Sequence, residues 1–330
     1  MNLIDRIGSR LRLRDLHILA AVVEWRSMAK AARHLAVSQP VVSRAIGDLE
    51  HALGVRLLDR TPLGVEPTIY GRTLLNRGMA VFDELRASVK DIEFLSNPTA
   101  GELRIGSTPS IAAGLLPAVL DRLSLQRPRI AFQVKLGDAA VLHYRDLRER
   151  SVDLLFGRLL PTPAADVDTE LLFEDRIVVA AGAHNPWTKR RKIALHELAH
   201  EPWTMPPQDS YPASLVADAF RASGLPLPHV AVAGYGIELH SALLAGGRFL
   251  APFPESFVRL NGRRLGLKAL AVHLPEARHP FGIATLKSRT LGPLGALFVE
   301  CARVFSKRLS ARSSHRGCFR KGKGACAFIE

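Results

Sequence analysis

Apolar residues at Leu13, Leu16, Leu19, Ala20 and Val23, then Ala31, Ala32 and Leu35, then Val42, Ile46 and Leu49 recur every three or four positions. One face of an α-helix has that period, so the pattern predicts three short helices in succession. From about Thr68 to Leu95 the pattern lengthens. Leu75, Phe82 and Val89 recur every seven residues, with Leu85 and Ile92 between them. That is the seam of a coiled coil, and these five side chains are the expected dimerisation residues. The run Ser96-Asn97-Pro98-Thr99-Ala100-Gly101 interrupts the period with turn formers and a proline, which predicts a hinge at 97–101.

Beyond the hinge, β-rich runs alternate with helical ones: Glu102–Gly106, Ile130–Leu136 and Val152–Gly157 are separated by helices to about Leu125 and Arg150. A second set runs from Asp175 to about Val272. A strand-like Phe281–Leu286 and a helix from about Pro293 to Leu309 close the chain. The rhythm predicts parallel sheet wrapped by helices in two α/β lobes, with a ligand cleft between them at the carboxyl ends of the strands. The expected division is therefore 1–67, three helices and a hairpin; 68–96, a linker helix; 97–101, the hinge; 102–309, the two-lobed domain; and 310–330, a disordered basic tail. Lobe I takes about 102–174 and 280–309, lobe II about 175–279.

The formal charge of +14 points toward nucleic acid, but its distribution weakens that inference. From Cys301 to Glu330 there are eight Lys or Arg against one acidic residue, so half of the excess sits at the end of the chain. Residues 1–66 carry ten basic and seven acidic side chains, so binding to DNA must rest on placement. The apolar runs are too short to span a bilayer and no secretory leader pattern follows the start, which predicts a cytoplasmic protein without membrane association. The three cysteines, Cys301, Cys318 and Cys326, all fall at the end, so no disulfide framework is expected.

Placement is informative between Arg26 and Arg60. Ala31 and Ala32 are small enough for two helices to cross closely, and Leu35, Val37, Val42, Ile46 and Leu49 seal the core between them. Ser38 stands where its hydroxyl can cap the next helix, and Pro40 is tolerated in a first turn. Gln39, Val41, Ser43 and Arg44 lie off the sealed face near the start of that helix, where a helix-turn-helix enters the major groove. Glutamine suits adenine edges, arginine suits guanine, and Val41 a thymine methyl. Val55 to Thr68 reads as two short strands about a Pro/Gly turn. This is a wing, with Arg60 placed either to meet phosphate or to pair with Asp59 or Glu66.

This order, through Ala31-Ala32, Leu35, Ser38-Gln39-Pro40, Ser43, Ile46, Leu49-Glu50, Leu53-Gly54, Leu57, Arg60, Thr68 and Gly71, resembles the LysR-type transcriptional regulators. Arg26 stands where that family usually has glycine, Leu58 where it has phenylalanine and Tyr70 where it has alanine. The resemblance covers about residues 10 to 305. It implies an N-terminal all-α winged helix-turn-helix plus linker helix and a C-terminal α/β sensor domain resembling periplasmic binding proteins. It also implies double-stranded promoter DNA, a small-molecule effector (often an organic anion), RNA polymerase and other copies of the chain as partners, as homodimer or homotetramer associated with the nucleoid, and neither catalysis nor a cofactor. Three strand ends support the sensor independently. Ser107, Thr108 and Ser110, then Ser210, offer hydroxyls at helix starts, and Gly157-Arg158 offers a cation.

One motif points elsewhere. His196-Glu197-Leu198-Ala199-His200 matches H-E-x-x-H, which on a helix places two zinc ligands and a general base, as in a zinc hydrolase. Pro202, Pro206 and Pro207 leave too little room for that helix, and Trp203 and Pro206 occupy the positions of the glycine and third histidine in one such family. Asp209 and Asp218 remain as third-ligand candidates. No phosphate-binding glycine loop, nucleophile elbow or dinucleotide fingerprint occurs. His315, Cys318 and Cys326 form a weak metal or redox candidate in the basic tail.

Overall fold

The computed structural model describes residues 11–61, 64–137, 140–208, 210–275 and 278–317. The chain divides into two compact units, residues 1–89 and 90–330.

In the first unit the helical period forms α1 (Leu13–Trp25), α2 (Met28–His34) and α3 (Gln39–Leu53). These are followed by β1 (Leu58–Thr61), β2 (Gly64–Pro67) and the start of α4 (Ile69–Ser96). Leu19, Val22, Ala31, Val42 and Leu49 are sealed from solvent where the three helices meet. Helix α1 ends on Arg26, whose left-handed φ of 49° accounts for the glycine usual there in the family. The wing is anchored by carboxylate and carbonyl groups. Glu50 Oε1 accepts from the N–H of Leu57 (2.7 Å) and Leu58 (3.3 Å), and the Arg26 carbonyl accepts from Val65 N–H (3.0 Å). Strands β1 and β2 are antiparallel with Arg60 opposite Val65. Thr68 opens α4 by donating to the Arg56 carbonyl (2.8 Å) and accepting from Gly71 N–H (3.1 Å). Gly71 lies so close to the Leu57 carbonyl that a Cβ there would sit 2.1 Å from it.

The coiled-coil seam is divided. Leu75 packs on the core of its own unit, and Phe82 meets His17 edge to face at 5.9 Å. Leu85, Val89 and Ile92 are 46, 55 and 63% exposed. A seven-residue repeat marks one stripe without saying what covers it, and α1 of the same chain takes the first part.

The second unit contains β3 (Ala100–Ser107), α5 (Pro109–Ala112), α6 (Leu115–Gln126), β4 (Arg129–Leu136), α7 (Ala140–Arg148), β5 (Leu154–Arg158) and the long β6 (Val167–Gly182). It continues through β7 (Trp203–Met205), α8 (Tyr211–Ala222), β8 (Val230–Ala233), α9 (Ile237–Ala245), β9 (Leu250–Pro254) and α10 (Glu255–Leu265). The last elements are β10 (Leu267–Ala269), β11 (Arg278–Leu286) and α11 (Pro293–Gly317). Strand order is β4-β3-β5-β11-β6-β9-β7-β8, with β10 on β6.

The sheet is mixed rather than parallel. β3 is parallel to β4 and β5, and β7 to β8 and β9, but β11 runs antiparallel to β5 and β6, and β6 antiparallel to β9. The cause is topological. The chain crosses from the first lobe to the second along β6 and returns along β11, so the two crossing strands must oppose one another. A core around Ile105, Leu116, Phe156, Phe281 and Phe298 fills the first lobe, and one around Val179, Trp203, Val216 and Phe220 the second.

Two boundaries differ from expectation. The hinge at 97–101 is not where the units part: Phe94 is buried in the first-lobe core, and Ala100 and Gly101 already belong to β3. Only 97–99 form a turn, in which Asn97 Oδ1 accepts from the Thr99 hydroxyl (2.6 Å). The tail does not begin at 310, because α11 continues to Gly317. Cys318 and Cys326 lie outside the described residues, as does the side chain of His315. Cys301 is a packing residue of the first lobe, its thiol raised above the usual range by burial. No helix among the described residues is long and apolar enough to cross a membrane.

Candidate nucleic-acid interface and ligand cleft

The face of α3 opposite the core carries the candidate base-reading groups. Val42, Ala45, Ile46 and Leu49 point inward, which leaves Gln39, Ser43 and Arg44 exposed and Val41 half-buried on the first two turns. Pro40 lies in the first turn, where its missing N–H costs no hydrogen bond. Ser38 occupies the cap position but its side chain makes no capping hydrogen bond, so its exposed hydroxyl is available to a partner instead. Ser27 does cap α2, accepting from Lys30 N–H at 3.3 Å. Arg60 is placed at the root of the wing by the pairing of its backbone, and its side chain lies outside the described residues.

In the second unit a cavity of about 130 Å³ opens where the carboxyl ends of β3 and β5 face the starts of α8 and α9. Thr108, Ser110, Arg158 and Ser210 line it. Ser107 does not: it is 1% exposed and donates its hydroxyl to the Phe156 carbonyl (2.8 Å), joining β3 to β5. Gly157 is also absent from the lining, since the space above its Cα faces the Thr108 methyl at 3.9 Å. Ser107 is taken up in the joint between the two strands, and Gly157 has no side chain to reach the cleft.

Arg158 is the charged group of this cleft. Its guanidinium lies 3.7 Å from the centre of the Tyr211 ring, and among the described residues no carboxylate pairs with it. Burial pulls its pKa down and burial pushes that of Tyr211 up, so the phenol stays neutral. His279 is 4% exposed, and among the described residues its Nδ1 has no hydrogen-bond partner. Burial, with the nearby charge of Arg158, lowers its pKa to about 4, so the imidazole is neutral at pH 7. The Ser210 hydroxyl is likewise buried, with no partner among the described residues. His240 differs, since its Nδ1 lies 2.7 Å from the Thr204 hydroxyl and its Nε2 3.0 Å from the Gly234 carbonyl.

Tyr211, His240 and His279 were not among the expected site residues. Tyr211 was adjacent to one that was. The sequence gives no sign that His279, on the returning crossing strand, reaches the same cleft.

The zinc motif is not built. Leu195–Leu198 form a single 3-10 turn, and Glu197 accepts from Arg190 (2.7 Å) and from Ala194 N–H (2.8 Å). Asp218 pairs with Arg221, Asp209 lies outside the described residues, and no cluster suited to a metal ion occurs among those described.

A winged helix-turn-helix in one chain with a two-lobed α/β ligand-binding unit defines a DNA-binding regulator that senses small molecules directly. The comparisons with known proteins agree with this class. The bacterial regulatory helix-turn-helix family of the lysR type matches residues 13–72, and the LysR substrate binding domain family matches residues 96–305. The chain is 28% identical to the transcriptional regulator GbpR of Azospirillum brasilense over 87% of this chain and 84% of that one. It is 30% identical to the SDS degradation transcriptional activation protein of a Pseudomonas species, over 85% and 92% of the two chains. Full-length CbnR, solved in complex with its target DNA, shares the fold with a TM-score of 0.59 at 22% identity, over 89% of this chain and all of that one. The chain belongs to the LysR family: it is a DNA-binding transcription regulator with an effector-binding domain, not an enzyme.

Proposed function

We propose that this regulator reads promoter DNA with Gln39, Val41, Ser43 and Arg44 on a helix that Ser38 and Pro40 open against the duplex, meets the phosphate backbone through Arg60, and answers to an organic anion bound by Arg158. Thr108, Ser110 and Ser210 bond the same ligand. The observation that carries the anion is Arg158 itself, a largely buried cation whose neighbours are an aromatic ring and neutral polar groups. A guanidinium so placed favours a carboxylate strongly, because the surrounding protein screens the pair less than water would.

The exposed stripe of Leu85, Val89 and Ile92 on α4 supports pairing of two chains, which matches two recognition helices to two half-sites. Tetramer formation, contact with RNA polymerase and a cytoplasmic location at the nucleoid complete the reading. A coupling of about 1–3 kcal/mol between effector and DNA suffices for a several-fold change in occupancy.

The test is a gel shift of the full chain on the DNA upstream of its own and the neighbouring gene, with and without aromatic and aliphatic acids. Arg44→Ala is expected to lower affinity for the bound fragment by about tenfold or more and to relax its selectivity. Arg158→Gln is expected to bind that fragment normally and lose the response to acid. Selective binding by Arg44→Ala equal to wild type rejects the base-reading assignment, and an undiminished acid response in Arg158→Gln rejects the anion.

A further inference from the structure

The anion proposed for Arg158 can be narrowed by counting what else the cleft offers. Among its described lining residues Arg158 is the one that carries a charge at neutral pH, since His240 and His279 are both held neutral by burial and no Asp, Glu or Lys lines it. The remainder is largely apolar, with Ile111, Ile177, Ile237, Phe253 and Phe281 around the cavity. Two polar atoms are left over. The Ser210 hydroxyl and His279 Nδ1 are buried, belong to residues that line the cleft and have no hydrogen-bond partner among the described residues.

These features select against three ligand classes. A second carboxylate, or the second charge of a phosphate monoester, would sit against hydrocarbon without a cation, which burial penalises heavily. The ammonium of an amino acid would find no carboxylate to face. An unfunctionalised fatty acid would leave Ser210 and His279 unpaired, as they are now, and an unpaired buried polar atom is costly.

Resting on the anion reading above, we infer that the effector is a monocarboxylate with a compact apolar body and one hydroxyl, its carboxylate on Arg158 and its hydroxyl on Ser210 and His279. The hydroxyl donates to one of these groups and accepts from the other, so both orphan atoms are satisfied by one ligand atom.

Calorimetric titration of the full-length chain with benzoate, the three monohydroxybenzoates, phthalate and L-phenylalanine tests this. At least one hydroxybenzoate is expected to bind about tenfold or more tighter than benzoate, and benzoate tighter than phthalate or L-phenylalanine. Ser210→Ala should bring the favoured hydroxybenzoate and benzoate to parity by weakening the former alone. Phthalate or L-phenylalanine binding as tightly as the hydroxybenzoates overturns the ligand class, as does a hydroxyl preference untouched by Ser210→Ala. If those acids nevertheless lose their affinity in Arg158→Gln, the anion site stands and only the class has failed. Failure of every acid to bind, or binding unchanged in Arg158→Gln, removes the anion site together with the class.

Discussion

Two sites in the sensing unit hold buried arginines, and they are built in opposite ways. At the first, the Asp153 carboxylate accepts from Arg104 Nη2 (2.6 Å) and Arg104 N–H (2.8 Å), and it pairs with Arg289 Nη2 at 2.7 Å. The side chains are 22%, 13% and 11% exposed for Arg104, Asp153 and Arg289, and spare donors reach the carbonyls of Arg150 and Val152. Strand β3, the approach to β5 and the loop after β11 are joined by one carboxylate shared between two guanidiniums. At the second, Arg158 sits at the end of β5 with the Tyr211 ring and, among the described residues, no carboxylate. Where a guanidinium serves the fold, the chain supplies its counter-charge. Where no carboxylate is at hand, the counter-charge is the one we propose a ligand brings.

The largest effect expected from this contrast is at Asp153. Removing the carboxylate takes from two part-buried arginines the counter-charge they share, and breaking a buried pair from one side costs about 3–5 kcal/mol. Asp153→Ala should lose that much in urea unfolding monitored by circular dichroism, whether or not ligand is present. Burial alone would raise the Asp153 pKa, but the hydrogen bonds from Arg104 and the charge of Arg289 hold it below the ordinary carboxylate range. Its stabilisation is therefore present above the unfolded pKa and is lost as pH falls through the depressed one. A loss under about 1 kcal/mol in Asp153→Ala would place these three side chains with ordinary surface pairs.

The next effect is the acid sensitivity of the cleft. His279 has an ordinary value of 6.5 in the unfolded chain and about 4 in the folded one. Between these values the unfolded state holds a proton that the folded state does not. Stability is therefore complete above pH 6.5 and declines as pH falls toward 4, by up to about 3 kcal/mol from this group. His279→Gln should flatten the melting temperature over that range, leaving the smaller slope from His240, whose pKa is also lowered by burial. An unchanged slope in His279→Gln would mean that the ring is hydrated and not sealed in the cleft.

The helix-turn-helix was legible because its determinants are local: the spacing of Leu19, Ala31, Val42 and Leu49 gives the helices, and Pro40 and Gly54 mark the ends of α3. Even there the fine chemistry differed, since Ser38 holds the cap position without the bond. In the second unit the alternation of elements was readable but strand direction was not. Direction follows from β6 and β11 crossing between lobes, a relation between segments over a hundred residues apart. The cleft was half legible for the same reason. Arg158 could be read from a strand ending in Gly-Arg, whereas the neutral His279 acquires its role only by lying on the returning strand. Leu75 and Phe82 show the remaining limit, since periodicity identifies an apolar stripe and not its cover.

The smallest change in stability, and the one that most sharpens the contrast, is expected at Arg158. Its side chain loses hydration on burial and recovers part of that through the Tyr211 ring, a contact worth about 0.5–2 kcal/mol. The two effects oppose, so Arg158→Gln should unfold within about 1 kcal/mol of wild type without ligand. With a saturating acid the comparison reverses. Wild type gains stability from binding the folded state, about 2.7 kcal/mol at a hundredfold excess over the dissociation constant, and the variant gains none. Urea unfolding of both proteins, with and without 3-hydroxybenzoate or another acid that binds, separates the two roles. A loss of 3 kcal/mol or more in the ligand-free variant would make Arg158 a framework residue like Arg104, and its missing carboxylate would no longer point to an effector.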